Sequence, residues 1–337
     1  MDRTDTQAEW KDRLRAVREA NNSAAWAMSE YIDETPDGIT AGLLREADPD
    51  RVLPEEALYG ALMAGLSGIS DEDRAVSGYF MESVRHLDTS AYSDNPYLRK
   101  IQFPDTGQGH WKFTHYRYRP YEAFIRDDIK VEPDTREIPQ TGYFSGTFRY
   151  PAVEQDGREW MAVKPSEIET MRHHLDIISG KVVTFGLGLG YFAFMASEKP
   201  EVSHIDVIER DEEVISLFSK HILPQFPYRE KVRIIRSDAF DYLSGPQMEA
   251  EKYDYAFADL WHDTSDGLPL YLRLKKMEAA LHRTGMETAF LYWVERSLLS
   301  AYRWTMFDHI LETSRDEAEA LDRLSDDALR MTAGGTD

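Results

Sequence analysis

The chain has 337 residues, 42% hydrophobic and 12% aromatic, enough to bury a substantial core in one large domain with an accessory region. It contains no cysteine, which excludes disulfides, thiolate metal sites and cysteine nucleophiles. With 39 basic against 61 acidic residues the formal net charge is -22, a field that repels phosphate backbones and argues against nucleic acid as a partner.

No apolar run approaches the ~18–20 residues of a membrane span, and the opening residues lack a signal-peptide pattern. The expectation is a cytoplasmic protein that engages neither nucleic acid nor membrane. Residues 1–95 read as a helical accessory domain. Trp10, Leu14 and Val17 recur at helical spacing, as do Ala57, Leu58, Ala61 and Leu62. A third helix is expected after Ser70 as cap, with Val76, Phe80, Val84 and Leu87 on one face. Nothing in this stretch carries chemistry, and a lid or a homo-oligomer surface is its expected use.

Residues 96–165 form an aromatic-rich β segment. Residues 143–150 and 158–163 have strand composition, and Glu154-Gln155-Asp156-Gly157 supplies the turn of a β-hairpin. The alternation of aromatic and basic residues over 115–121 suits a substrate groove or an ordinary edge strand with snorkelling arginines. After Pro165 a helix is expected, with Ser166 and Glu169 as a capping box and Ile168, Met171, Leu175 and Ile178 on its buried face.

Residues 166–300 then alternate strand and helix, the pattern of a Rossmann-like α/β domain with a mostly parallel sheet and flanking helices. The β-branched strand Lys181-Val182-Val183-Thr184-Phe185 runs into Gly186-Leu187-Gly188-Leu189-Gly190, and a helix follows. Glycine is needed where backbone turns sharply or approaches a ligand without an intervening Cβ. A second strand ends at Glu209, 19 residues beyond Gly190 and close to the ~20 expected of an acid that accepts both ribose hydroxyls. Tyr191 stands where a dinucleotide fingerprint needs glycine, which favours S-adenosylmethionine over NAD as the cofactor because the former brings no pyrophosphate to the helix start. The competing explanation of the glycines is tight packing alone.

A third strand ends at Asp238-Ala239, an acid able to accept the adenine amino group beside a small residue. The fourth ends at Asp259-Leu260-Trp261-His262-Asp263, and a fifth is expected over residues 288–293. Strand ends of this kind converge on one crevice. Asp259, His262 and Asp263 are the candidate catalytic residues: histidine suits general-base work near neutrality, a carboxylate can orient an amine, and Trp261 can wall a cation. The plainer alternative makes Asp259 a cofactor ligand or helix cap and His262 an ordinary polar neighbour. His262, Asp263 and Asp266 lack helix-spaced ligand pairs, so no metal is expected. Residues 301–337 read as a helical acidic tail, and no strand is seen after residue 295, leaving the sheet truncated or completed by an earlier segment.

In this order, Gly186, Gly188 and Gly190, Glu209, Asp238-Ala239 and Asp259 resemble the motifs of class I S-adenosylmethionine-dependent methyltransferases, over roughly residues 165–295. Within that superfamily the chain is similar to the spermidine synthase-like branch, where a hairpin and a short helix also precede the glycine loop. Asp259, Asp263 and Asp266 with Gly267-Leu268-Pro269 are similar to that branch's acidic loop. His262, Trp261 and Leu189 depart from its pattern. The resemblance implies a methyltransferase acting on a small-molecule acceptor. The alternatives are aminopropyl transfer from decarboxylated adenosylmethionine and a non-catalytic Rossmann-like binding protein.

Overall fold

The computed structural model describes residues 3–70 and 72–335; Met1, Asp2, Asp71, Thr336 and Asp337, and with them the outermost ends of the first and last expected segments, lie outside the described residues. The chain forms two compact units. One gathers the residues up to Thr89, Tyr118–Phe148 and Leu299–Met331; the other gathers Ser90–Arg117, Arg149–Leu298 and the residues from Thr332. These units cut across the four consecutive segments expected from sequence, because strand pairing joins distant stretches: Val84–Leu87 pairs in parallel with Glu137–Phe144.

The second unit is built on a five-stranded parallel sheet. Its order is Val232–Arg236, Val202–Glu209, Gly180–Phe185, Tyr255–Ala258 and Ala289–Tyr292, with every neighbouring pair parallel. The first strand in sequence is thus central, with the second and third on one side and the fourth and fifth on the other. This is a Rossmann-like arrangement with flanking helices. Val182, Val183 and Phe185 are fully buried, as a strand covered on both faces requires. The order reverses between Gly180–Phe185 and Tyr255–Ala258, and beyond the carboxyl ends of such strands open α/β sheets leave a crevice. Among the described residues no strand follows Tyr292, and no earlier segment joins this sheet.

A four-stranded sheet in the order Gly107–Gln108, Trp111–Tyr118, Phe148–Gln155, Arg158–Ala162 contains the expected hairpin. Its turn residues Asp156 and Gly157 both have positive φ, +52° and +79°, as a tight two-residue hairpin turn demands. The first hairpin strand begins at Phe148 rather than at residue 143. Tyr143 and Phe144 instead complete Glu137–Phe144, a strand of the other unit's sheet.

The first unit packs Arg3–Glu34, Glu55–Leu66 and Arg74–Ser83 around a three-stranded sheet ordered Val84–Leu87, Glu137–Phe144, Phe124–Val131. Ala24, Met28, Tyr59, Met63, Phe80 and Tyr143 lie at its core. The helix expected after Ser70 starts at Arg74 and is capped by Asp73, whose carboxylate accepts the Val76 N–H at 3.3 Å. It stops at Ser83, so Val84 and Leu87 are strand residues and not part of a helical face; β-branched Val84 pairs with Thr141. Phe307, Leu311 and Leu324 pack with Trp10 and Leu14 in a separate cluster. Among the described residues no helix is long and apolar enough to cross a membrane.

Candidate functional site

The glycine loop follows the central strand at the point where the order of the sheet reverses. Gly186, Gly188 and Gly190 have φ of +101°, +51° and +75°, a region that side-chain-bearing residues rarely adopt. The protein itself also crowds them. A Cβ on Gly186 would stand 2.1 Å from the Asp259 carbonyl oxygen, one on Gly188 2.0 Å from the Met161 sulfur, and one on Gly190 2.3 Å from the Phe218 ring. Packing therefore accounts for part of what the glycine spacing suggested for a ligand. Backbone bonds from Gly186 N to Ile208 O (2.9 Å) and from Asp259 N to Phe185 O (3.0 Å) hold the three strand ends side by side.

Sequence reasoning missed the helix Pro96–Lys100, which fixes this loop. The Tyr97 hydroxyl, fully buried, donates to the Leu189 carbonyl, and Asn95 donates to the Tyr191 hydroxyl at 3.0 Å. A polar pair ahead of a five-residue helix leaves no pattern that periodicity can detect.

Glu209 stands at the end of the neighbouring strand, partly buried. Its carboxylate accepts backbone N–H groups of Arg210 and Asp211, both at 2.8 Å, and of Leu187 at 3.2 Å. The acid is thereby held against the glycine loop, with capacity left on the oxygen facing Leu187. Asp238 caps the helix Ala239–Ser244, accepting from Phe240 and Asp241 at 2.8 and 3.2 Å through one oxygen only. Ala239 beside it is buried.

Asp259 lines a cavity of about 20 Å³ together with Glu167, Met161, Met171, Phe192 and Phe257. That volume holds about one water molecule. Neither Asp259 nor Glu167 has a hydrogen-bond partner for its carboxyl among the described residues. Burial pushes the Asp259 carboxyl well above the usual carboxylate range, and the charge of Glu167 pushes it further. Glu167 is itself raised to about 7, first by burial; Lys164 opposes that rise and Glu159 adds to it.

Glu167 belongs to the helix Pro165–Ile177. The capping box expected from Ser166 and Glu169 does not form. Pro165 occupies the first helical turn, Lys164 is the cap residue without a side-chain cap bond, and Glu169 pairs with Arg172 at 2.7 Å. Glu167 lies one turn before Met171 on the inner face, and this acid among apolar positions was the signal available in the sequence.

His262 and Asp263 stand apart from this cavity. The Asp263 carboxylate accepts the Ser265 N–H (2.7 Å) and hydroxyl (2.6 Å), which hold its carboxyl below the usual range. The Asp266 carboxylate accepts the Asp263 N–H at 3.0 Å, completing a capping box on the helix Thr264–Arg283. Asp263 thus has a structural task. His262 is exposed, its Nδ1 3.6 Å from an Asp263 oxygen and its ring 5.9 Å from that of Trp160. Trp261 is buried against Gly267, and its indole N–H has no partner. Among the described residues no three His, Asp or Glu side chains are grouped so as to hold a metal ion.

No family model matches the chain, and no curated protein matches it. Among solved structures, MnmC2 from Aquifex aeolicus aligns over 61% of this chain and 85% of its own, with 13% identity and a TM-score of 0.26. A score that low does not establish a shared fold.

Proposed function

We propose that the chain is an S-adenosylmethionine-dependent methyltransferase acting on a small molecule. The observation that carries this reading is the juxtaposition of the glycine loop with Glu209 at the carboxyl ends of adjacent parallel strands, beside the point where the sheet order reverses. The donor set fits the cofactor. Glu209 and Asp238 each retain acceptor capacity, suited to ribose hydroxyls and the adenine amino group. The unpartnered carboxyls of Asp259 and Glu167 suit a cationic ligand.

When bound, the cofactor supplies an electrophilic methyl group on a sulfonium. The residues of the chain bind and orient the reactants for in-line displacement. Phe192 and Phe257 wall the cavity with apolar surface, and Asp259 holds a proton or an amine at its carboxyl oxygens. His262, exposed beside the same strand end, accepts a proton at its imidazole where the acceptor must lose one. With room for about one water, the cavity must widen to admit the cofactor; Met161, whose sulfur lies over Gly188, is the side chain that has to move.

One observation favours a second reading, aminopropyl transfer. The acids Glu167 and Asp259, once ionised against a bound ammonium, repel the carboxylate of adenosylmethionine and favour its decarboxylated form. Calorimetric titration of the full chain with S-adenosylmethionine, S-adenosylhomocysteine, the decarboxylated donor and NAD separates these readings. Saturable binding of the first two is expected, lost by about tenfold or more in Glu209→Ala. Preference for the decarboxylated donor moves the assignment to aminopropyl transfer. Binding of none overturns both in favour of a non-catalytic Rossmann-like protein.

A further inference from the structure

We infer that Glu167 and Asp259 together form a subsite for a primary ammonium group, making an amine the ligand recognised at the floor of this crevice. The inference deepens the transferase reading and rests on it for the identity of the neighbouring ligand. Its basis is a mismatch between burial and bonding. Glu167 is only 9% exposed and lines the cavity, and its carboxyl has no hydrogen bond from the described residues. A buried carboxylate is normally paired or removed, because its desolvation is uncompensated.

The cations and acids around it do not supply the compensation. Lys164, the cation whose charge reaches Glu167, is paired with Glu159 at 2.7 Å. The acids that act on the pair are Glu159 on Glu167, and Glu167 on Asp259. The site therefore has two carboxyls close enough to repel and, among the described residues, no cation hydrogen-bonded to either.

The remaining lining favours an ammonium over a metal ion as the missing partner. Phe192 and Phe257 stack at 4.1 Å, and Met161 and Met171 contribute thioethers. Once Met161 moves aside to widen the cavity, aromatic faces and polarisable sulfur suit an alkylammonium with its attached methylenes, whereas a hard divalent cation needs further oxygen ligands. Without ligand the pair retains proton near neutrality, as two acids in one apolar site must. Entry of an ammonium replaces that proton, which passes to solvent, and both carboxylates then ionise against the bound cation.

The ammonium has two sources within one chemistry: the amino group of the donor's methionine portion, or an amine acceptor. Calorimetry on the full chain distinguishes them with three probes. 5′-Methylthioadenosine carries the nucleoside without an amino-acid portion, S-adenosylhomocysteine adds the ammonium, and n-butylamine stands for an acceptor. Butylamine is titrated with and without methylthioadenosine, each time in two buffers of different ionisation enthalpy.

In Glu167→Gln, the affinity of butylamine or of S-adenosylhomocysteine is expected to fall about tenfold or more, with loss of the proton released on binding. Methylthioadenosine affinity should stay within about twofold. Loss confined to S-adenosylhomocysteine assigns the subsite to the donor, and loss confined to butylamine assigns it to the acceptor. If methylthioadenosine binds and Glu167→Gln alters neither amine, the subsite is overturned. If methylthioadenosine fails to bind while butylamine binds and depends on Glu167, the subsite stands and the nucleoside reading falls. Asp259→Asn repeats the measurement at the partner carboxyl, and a cooperative melt of each variant excludes misfolding as the cause of a loss.

Discussion

Each unit of the molecule buries a glutamate, and the two are treated in opposite ways. Glu137, in the first unit, is 7% exposed, and its carboxylate is surrounded by donors: the fully buried Arg303 guanidinium, the Ser300 hydroxyl at 2.6 Å and the Trp304 indole N–H at 3.1 Å. Arg303 is itself completed by Asp326 at 2.5 Å and by the Leu324 carbonyl at 3.0 Å. Glu167, in the second unit, is buried to a similar degree with none of this. A buried acid with a closed set of partners holds elements together. A buried acid facing a cavity without them is arranged for something that arrives.

Variants can break this contrast from either side. The largest expected effect is on the closed network. Arg303→Met leaves Glu137 buried without its cation and should destabilise the protein by about 3–5 kcal/mol in denaturant unfolding, whereas the double replacement with Glu137→Leu should recover much of the loss. A single variant as mild as the double one would show that the network contributes little.

The next effect is one of pH. Glu167 is raised to about 7 from an ordinary 4.5, so the folded state holds a proton that the unfolded chain releases. Its stabilising contribution is full below pH 4.5 and is lost as pH rises toward 7. His174, on the same helix, is lowered to about 4 from 6.5, chiefly by burial, and its Nδ1 has no partner. Its contribution runs the other way, full above pH 6.5 and lost as pH falls toward 4. The two slopes oppose each other in the wild-type protein. Relative to the wild-type protein, Glu167→Gln should make the melting temperature rise more steeply from pH 4 to 6.5, and His174→Leu should make it rise less steeply. Indistinguishable pH profiles for the three proteins would remove both assignments.

Smaller changes sharpen the site. Gly188→Ala combines a positive φ with the crowding of Met161 and should lower stability by about 1–2 kcal/mol. Met161→Ala should cost about 1 kcal/mol and leave methylthioadenosine bound as tightly as before or more tightly, since it clears the space over Gly188. Weaker binding would instead make Met161 part of the ligand's bed. The smallest change in stability belongs to His262→Ala, within about 0.5 kcal/mol because the side chain is exposed. Its readout is turnover: a drop in transfer to an acceptor that must be deprotonated, with donor affinity unchanged, marks His262 as the base.

The sheet was legible because its two inner strands, Gly180–Phe185 and Val202–Glu209, are short apolar runs rich in β-branched residues and largely buried, and the later strands Val232–Arg236, Tyr255–Ala258 and Ala289–Tyr292 follow at the spacing of strand–helix alternation. The glycine loop and Glu209 were legible because their spacing is set by the length of one βαβ turn. Val84–Leu87 was not, since its partner lies more than fifty residues away at Thr141 and helical periodicity runs straight through it. Asp263 was read as chemistry because an aspartate at a strand end and one at a helix cap look alike until the Ser265 N–H is seen to bind it. Glu167 was passed over for the opposite reason: the capping-box pattern around it drew attention to Ser166 and Glu169, away from its place among the apolar positions of the helix's inner face.

The closed network also sets an order of assembly. Glu137 meets its cation only across 166 residues of chain, and Trp10 packs with Phe307 across a still longer span. During synthesis the first unit therefore emerges almost whole yet unfinished, its acid lacking a countercharge until the stretch after Leu299 leaves the ribosome. By then the residues of the five parallel strands have all been made. Closing so long a loop makes the docking of the stretch after Leu299 onto the N-terminal helices a slow step of folding.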